Sequence, residues 1–331
     1  MNDLKMLDEL GRTLDPQTAT PPGRLRHRVL TEATGPARRA PRFAAPRFGW
    51  RLAAVGGLAA ALTVGGLATQ VVSFPDHTPV STASAAERVL AGAAEQARRQ
   101  PTVPVRGDQF IYVESLTASI SVHEGSSERA TISAAQRRIW LSADGTRDGL
   151  LREQGRPGPG GPDGMVLPGC RDGLSTQSKY GKTEEVACTP LPGYHADLPS
   201  DAAGMLAYLY RQADGTKNPR DQEAFSAAGD LIREAYLSPA SLAAVFEAVA
   251  RIPGVRVVGD VTDRAGRAGV ALARDEVQGT RSELIFDRKT YAYLGEHLVL
   301  TRDAYGMKAG EAINSTAVLK VAVVNGAGQL P

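Results

Sequence analysis

The sequence predicts an α+β protein: a single transmembrane helix followed by an extracytoplasmic curved antiparallel sheet packed against helices. Three observations predict it. Leu52–Val72 runs for 21 residues without a charge. Beyond it, segments dense in β-formers flank a middle block with helical periodicity. Short turns, not helical crossovers, join the strand-like segments, which implies consecutive antiparallel pairing.

The uncharged run spans roughly 31 Å as a helix, close to the hydrocarbon thickness of a bilayer. A buried soluble helix is the alternative, but helices of globular proteins average only about 11–12 residues. Gly56-Gly57 and Gly65-Gly66 suit a membrane helix better than a soluble one, although their spacing is not a clean GxxxG. Arg38, Arg39, Arg42, Arg47 and Arg51 precede the span, and no Lys or Arg follows it until Arg88. The positive-inside rule then places the N-terminus in the cytoplasm, with Trp50 at the interface. A cleaved signal peptide is the rival, with Ala83-Ser84-Ala85 as its cleavage site. About fifty residues before the apolar run argue for an uncleaved anchor.

The chain of 331 residues carries 42% hydrophobic and 22% charged residues, which excludes wholesale disorder. Residues 1–51 hold ten Lys/Arg against five Asp/Glu, so the net charge of +2 becomes about −3 beyond them. Positive charge concentrated beside an apolar stretch fits anionic lipid headgroups and speaks against nucleic acid as a partner.

Four segments follow in order. Residues 1–51 form a basic cytoplasmic tail with short helices: Leu4, Leu7, Leu10 and Leu14 recur at helical spacing up to Pro16. A second piece after Pro21-Pro22 carries Leu25, Val29 and Leu30. Such pieces bury no core alone, so the tail needs a partner or the membrane surface. Residues 52–72 are the span, 73–84 a polar tether, and 85–331 one α+β domain.

Within that domain, Ala85–Gln100 is helical in pattern. Gln109–Val122 reads as one long strand or a bent pair. Gln136–Ser142 and Thr146–Arg152 flank Asp144-Gly145 as a hairpin from which Trp140 projects. Gly155–Gly193, rich in Gly and Pro, reads as a long loop, and its prolines rule out a phosphate-binding loop. Helices follow at Ser200–Ala213, Gln222–Leu237 and Pro239–Ile252, the last with Ser238 as N-cap and Pro239 at the first position. Five strands close the chain: Val255–Val261, Ala268–Arg274, Ser282–Asp287, Tyr291–Leu300 and Ala317–Val324. The helices are expected on the concave face of the sheet.

Cys170 and Cys188 are the two cysteines, both in the loop beyond the span. Without CxxC, further cysteines or spaced histidines, zinc is a poor reading and an extracytoplasmic disulfide the economical one. Two buried free thiols are the alternative.

No catalytic residue, metal ligand or cofactor signature stands out. His27, His77, His123, His195 and His297 are scattered, and neither HExxH nor GxSxG occurs. Asp260, Asp263, Glu283 and Asp287 lie near turns, where acids are usually solvated or capping. Tyr291, Tyr293, Phe286 and Trp140 are candidates to line a cleft for an apolar ligand, with core packing the commoner role. Asn314-Ser315-Thr316 matches a glycosylation sequon.

The basic N-terminus and span, followed by Ile252-Pro253-Gly254-Val255, Gly266–Ala271, Leu284-Ile285-Phe286-Asp287 and Tyr291–Gly295, resemble an actinobacterial family of single-pass membrane-anchored proteins often encoded beside sigma factors. The outer domain is also loosely similar to the half-barrels of lipoprotein carriers and of periplasmic regulators of anti-sigma factors. The resemblance implies an envelope sensor or binding protein whose tail meets a sigma factor, and it brings no catalytic residues. Residues 1–51 depart from zinc-type anti-sigma domains in lacking cysteine. The competing expectations are a lipid- or lipoprotein-binding module and, behind it, a cell-wall enzyme.

Overall fold

The structure, a computed structural model, describes residues 82–121, 130–155, 163–179 and 182–331. The expected tail, the span Leu52–Val72 and nearly all of the tether lie outside the described residues. Among the described residues no helix is long and apolar enough to cross a membrane.

The chain forms α1 (Thr82–Arg98), then β1 (Phe110–Ser121), β2 (Thr131–Ser142), β3 (Gly149–Gln154) and β4 (Met165–Leu167). A hairpin of β5 (Leu174–Lys179) and β6 (Lys182–Ala187) precedes the helices α2 (Ala202–Gln212), α3 (Arg220–Glu234) and α4 (Pro239–Val249). The strands β7 (Arg256–Thr262), β8 (Ala268–Asp275), β9 (Thr280–Asp287), β10 (Tyr293–Leu300) and β11 (Ala312–Val324) complete it.

Helix starts follow local chemistry. Asp201 accepts from the amides of Ala203 and Gly204 to cap α2, and Ser238 Oγ accepts from Ser241 N at 3.1 Å to cap α4. Pro239 occupies the first turn of α4, as expected. Asp221 and Glu223 sit in the first turn of α3, where the macrodipole favours anions.

Nine strands form one antiparallel sheet in the order β4-β3-β2-β1-β11-β10-β9-β8-β7. Two meanders therefore meet at a β1–β11 seam running from Phe110 opposite Val324 to Ser119 opposite Asn314. Register shifts at Glu114/Ser115, Val257/Gly259, Tyr293/Gly295 and Leu298/Val299 help bend the sheet. The expected α+β architecture with a curved antiparallel sheet is thus present. The helices cover one face, over the β7–β10 half.

Strand alternation turns Val270, Leu272, Leu284 and Phe286 toward the helices, where they join Leu90, Phe225, Phe246 and Val249 in the main core. Phe246 meets Phe286 edge-on with centroids 5.4 Å apart, and Phe286 meets Tyr293 at 5.9 Å. Each such buried ring contributes roughly 1.5–3 kcal/mol by leaving water. A second cluster under Tyr194 and Tyr236 covers Ile111, Val113 and Ile139 on the same face.

Two expectations need correction. Trp140 does not project: it is fully buried against Tyr112 on the opposite face, and its Nε1 donates to Gln329 O at 2.6 Å. The C-terminal segment supplies the cover that a strand pattern cannot reveal. Gly155–Gly193 is not one loop either, because it contains β4 and the β5–β6 hairpin. That hairpin pairs only with itself and exposes most residues of both strands, so it leaves no apolar periodicity to read. Cys170 and Cys188 form the disulfide at its base, with Cα atoms 5.9 Å apart. Their amides donate to Gly145 O and Gly173 O, each at 2.9 Å.

Candidate functional site: a charged trough beside the third helix

Where α3 ends, the helix-covered face of the sheet changes character. Register alone places the residues. Glu296 of β10 lies opposite Thr316 of β11, Thr316 opposite Thr117 of β1, and Asn314 opposite Ser119. Ser115 lies opposite Arg137 of β2, which lies opposite Glu153 of β3. Side chains of period two thus line up on the helix side as a polar floor. The last turn of α3 overhangs it with Asp230, Arg233 and Glu234. The helix approaches closely because Gly229 has no side chain: a Cβ there would meet Glu296 Oε2 at 3.2 Å and Leu284 at 3.5 Å.

Two adjoining cavities of about 210 and 220 Å³ share Arg233, Glu296 and Asn314 and together make the trough. A chain of ion pairs runs through it. Arg137 reaches Glu234 at 3.3 Å, Glu234 reaches Arg233 Nε at 3.3 Å, and Arg233 also holds Asp230 at 2.7 Å and Glu296. Burial raises the Glu296 pKa; Arg233 pulls it down, but Asp230 and Glu234 push it up again, and the net result lies above 4.5. Burial alone would lower Arg233; Glu296 first, then Asp230 and Glu234, raise it above the ordinary guanidinium range. The attraction stabilises both charges, yet the more enclosed Glu296 still carries a net desolvation cost. Tyr293, packed in the core beside the trough, carries a buried hydroxyl with no hydrogen-bond partner among the described residues. Burial raises its pKa well above 10.0, with Glu296 adding to the rise and Arg233 opposing it.

The outer flank of α3 bears a different, larger groove of about 530 Å³, walled by Leu191, Pro192, Tyr208, Leu231 and Ala235. His195 also lines it, and burial lowers the His195 pKa.

Of the residues singled out in the sequence, Glu283, His297, Asn314 and Thr316 line the trough, and the others go elsewhere. Phe286 and Tyr293 pack in the core, Tyr291 lies against α1 at Gly92, and Trp140 is on the opposite face, so these four do not line one cleft. Asp263 accepts from the amides of Ala265 and Arg267, and Asp287 from those of Lys289 and Thr290, as turn acids do. Asp260 pairs with Arg288, and Glu283 pairs with Arg281 beside His297 Nδ1 at 3.7 Å. Cys170 and Cys188 do not line the trough. His27, His77 and His123 lie outside the described residues. Among the described residues no group of three His, Cys, Asp or Glu side chains gathers as a metal site. Sequence reading missed Arg137, Arg233 and Glu296. The available signal was a polar interruption, Asn314 to Thr316, matched by Ser115, Thr117 and Ser119.

No family model and no curated protein matches the chain. Among solved structures, the MucA/MucB complex of Pseudomonas aeruginosa is similar at 16% identity and a TM-score of 0.25, covering 75% of this chain and 58% of that one. LprF of Mycobacterium bovis matches at 7% identity and 0.27, covering 72% and 92%, and a LolA superfamily protein of Nitrosomonas europaea at 6% and 0.22, covering 74% and 94%. The match thus spans under two thirds of the MucB chain, and likenesses at these scores carry no argument about function.

Proposed function

We propose that this protein is a membrane-anchored envelope sensor or binding protein. Leu52–Val72 holds it in the membrane with residues 1–51 inside, the trough receives part of a partner outside, and the tail passes that state to a sigma factor. The open trough carries the reading. Apolar side chains fill the neighbouring core, whereas Arg137, Glu296, Arg233 and Glu234 keep side-chain exposures of 16, 19, 29 and 33%. A half-desolvated ion-pair chain is a poor way to secure a helix, because desolvation offsets its attraction. It is a good lining for a polar partner, which supplies the missing contacts.

The test has two arms. In intact cells, Asp172→Cys should take up a membrane-impermeant thiol reagent and Thr18→Cys should not. Deleting residues 1–51 should change transcription from a sigma-dependent promoter, and the purified tail should bind that sigma factor. A tail that binds none, with unchanged transcription, removes the regulatory part.

A second reading, a lipid- or lipoprotein-binding module, draws on the groove outside α3, whose mixed lining includes Leu191, Pro192, Leu231 and Ala235. An acyl chain there should co-purify and be seen by native mass spectrometry. It should be lost with Leu231→Glu; retention after that change, or no lipid at all, ends this reading.

A further inference from the structure

This inference rests on the reading of the trough as a binding site and names what it selects. We propose that the trough recognises a cationic side chain, the ammonium of Lys or the guanidinium of Arg, on an extended segment of a partner protein.

Charge comes first. Arg233 is already committed to three carboxylates, Asp230, Glu234 and Glu296, and Arg137 to one of the same three. Across the cleft, Glu276 accepts from Thr280 Oγ1 at 2.6 Å and from Ser282, both neutral donors. Glu283 also lines this end, paired with Arg281 beside His297, so five carboxylates stand against three guanidiniums. An incoming anion would have to displace carboxylates from these arginines. A cation instead relieves a repulsion visible in Glu296, which Asp230 and Glu234 destabilise.

Shape supplies the extended segment. The lining runs from Ser282 on β9 to Glu153 on β3, five strand spacings apart, or roughly 24 Å. About seven residues of extended chain cover that distance. The hydroxyl and amide floor of Thr117 and Asn314 can bond its backbone.

The experiment uses the full chain in phosphatidylcholine nanodiscs and three fluorescent heptapeptides of alternating Ser with Lys, Gln or Glu. The Lys peptide should bind at least about tenfold more tightly than the Gln peptide, and the Glu peptide more weakly still. Glu276→Gln and Glu296→Gln should each weaken the Lys peptide by about fivefold or more. Glu276→Gln keeps one acceptor and offers an amide N–H to the other hydroxyl, which can accept, so it serves even if Glu296→Gln folds poorly. Gln or Glu peptides that bind as well as Lys, and lose binding with Arg137→Ala, overturn the charge assignment and leave the trough as a site. Lys binding that ignores both glutamine variants overturns it too. No binding by any of the three peptides overturns both the specificity and the trough as a peptide site.

Discussion

The two halves of the helix-facing side of one sheet are built on opposite principles. Under α1, α3 and α4, the β7–β9 half presents Leu272, Leu284 and Phe286, all essentially dry. Beyond Glu296, the same face continues through Thr316, Thr117 and Arg137, and the helix layer stops. Antiparallel pairing continues across the change, with register shifts at Tyr293/Gly295 and Leu298/Val299 flanking Glu296. Side-chain chemistry helps decide where the helices can lie down. Apolar rows recruit a helix because covering them releases water, and a polar row leaves the face open because covering it would cost hydrogen bonds.

The strongest way to break this comparison is to open a hole in the dry half. Phe246 is buried against Phe286, and Phe246→Ala should lower stability by about 3–5 kcal/mol, because lost transfer energy and an unfilled cavity add. Denaturant unfolding of the protein measures it. A loss under about 1 kcal/mol would mean that this half is not tightly packed.

Much of the dry half was legible in the sequence, because burial writes periodicity. Ser238-Pro239 marked the start of α4, and alternating β-formers marked β8, β9 and β10 nearly residue for residue. The open half was not. β11 begins at Ala312, five residues before the expected Ala317, because Asn314, Ser315 and Thr316 serve a polar floor and do not look like a strand. β2 begins at Thr131 for the same reason, with Thr131–Ala135 lacking an apolar alternation. Arg233 and Glu296 stand 63 positions apart and belong to different periodic patterns, so only the fold pairs them. The disulfide could be anticipated from the expected topology and the cysteine count; its place under a free-standing hairpin could not.

Sharpening the comparison means titrating the boundary. Removing Arg233 leaves Glu296 largely enclosed without its partner, and Arg233→Ala should cost roughly 1–3 kcal/mol at neutral pH. The sign of the pH dependence is specific. Burial, aided by Asp230 and Glu234 against the pull of Arg233, places the folded Glu296 pKa above 4.5. The folded state then holds that proton more tightly than the unfolded chain does. Its contribution is full below the unfolded value and is lost as pH rises through the raised folded value. Unfolding measured from about pH 4 to about pH 8 should therefore show a decline that Glu296→Gln removes and Arg233→Ala deepens. Parallel curves for wild type and Glu296→Gln would detach Glu296 from the boundary.

The smallest expected effect is the most discriminating. Thr117 sits on the trough floor, half-buried, with one long bond of 3.5 Å from its Oγ1 to Ala135 O. Thr117→Val keeps the β-branched shape and the strand preference while removing the hydroxyl. If the floor is polar to serve a partner, stability should move by no more than about 0.5 kcal/mol, as for surface changes that touch no buried network. Affinity for the Lys-containing heptapeptide should fall at the same time, because a backbone donor of the peptide loses its acceptor. A stability loss matching Phe246→Ala would instead make the polar floor a structural element, and the two halves would then differ in composition without differing in role.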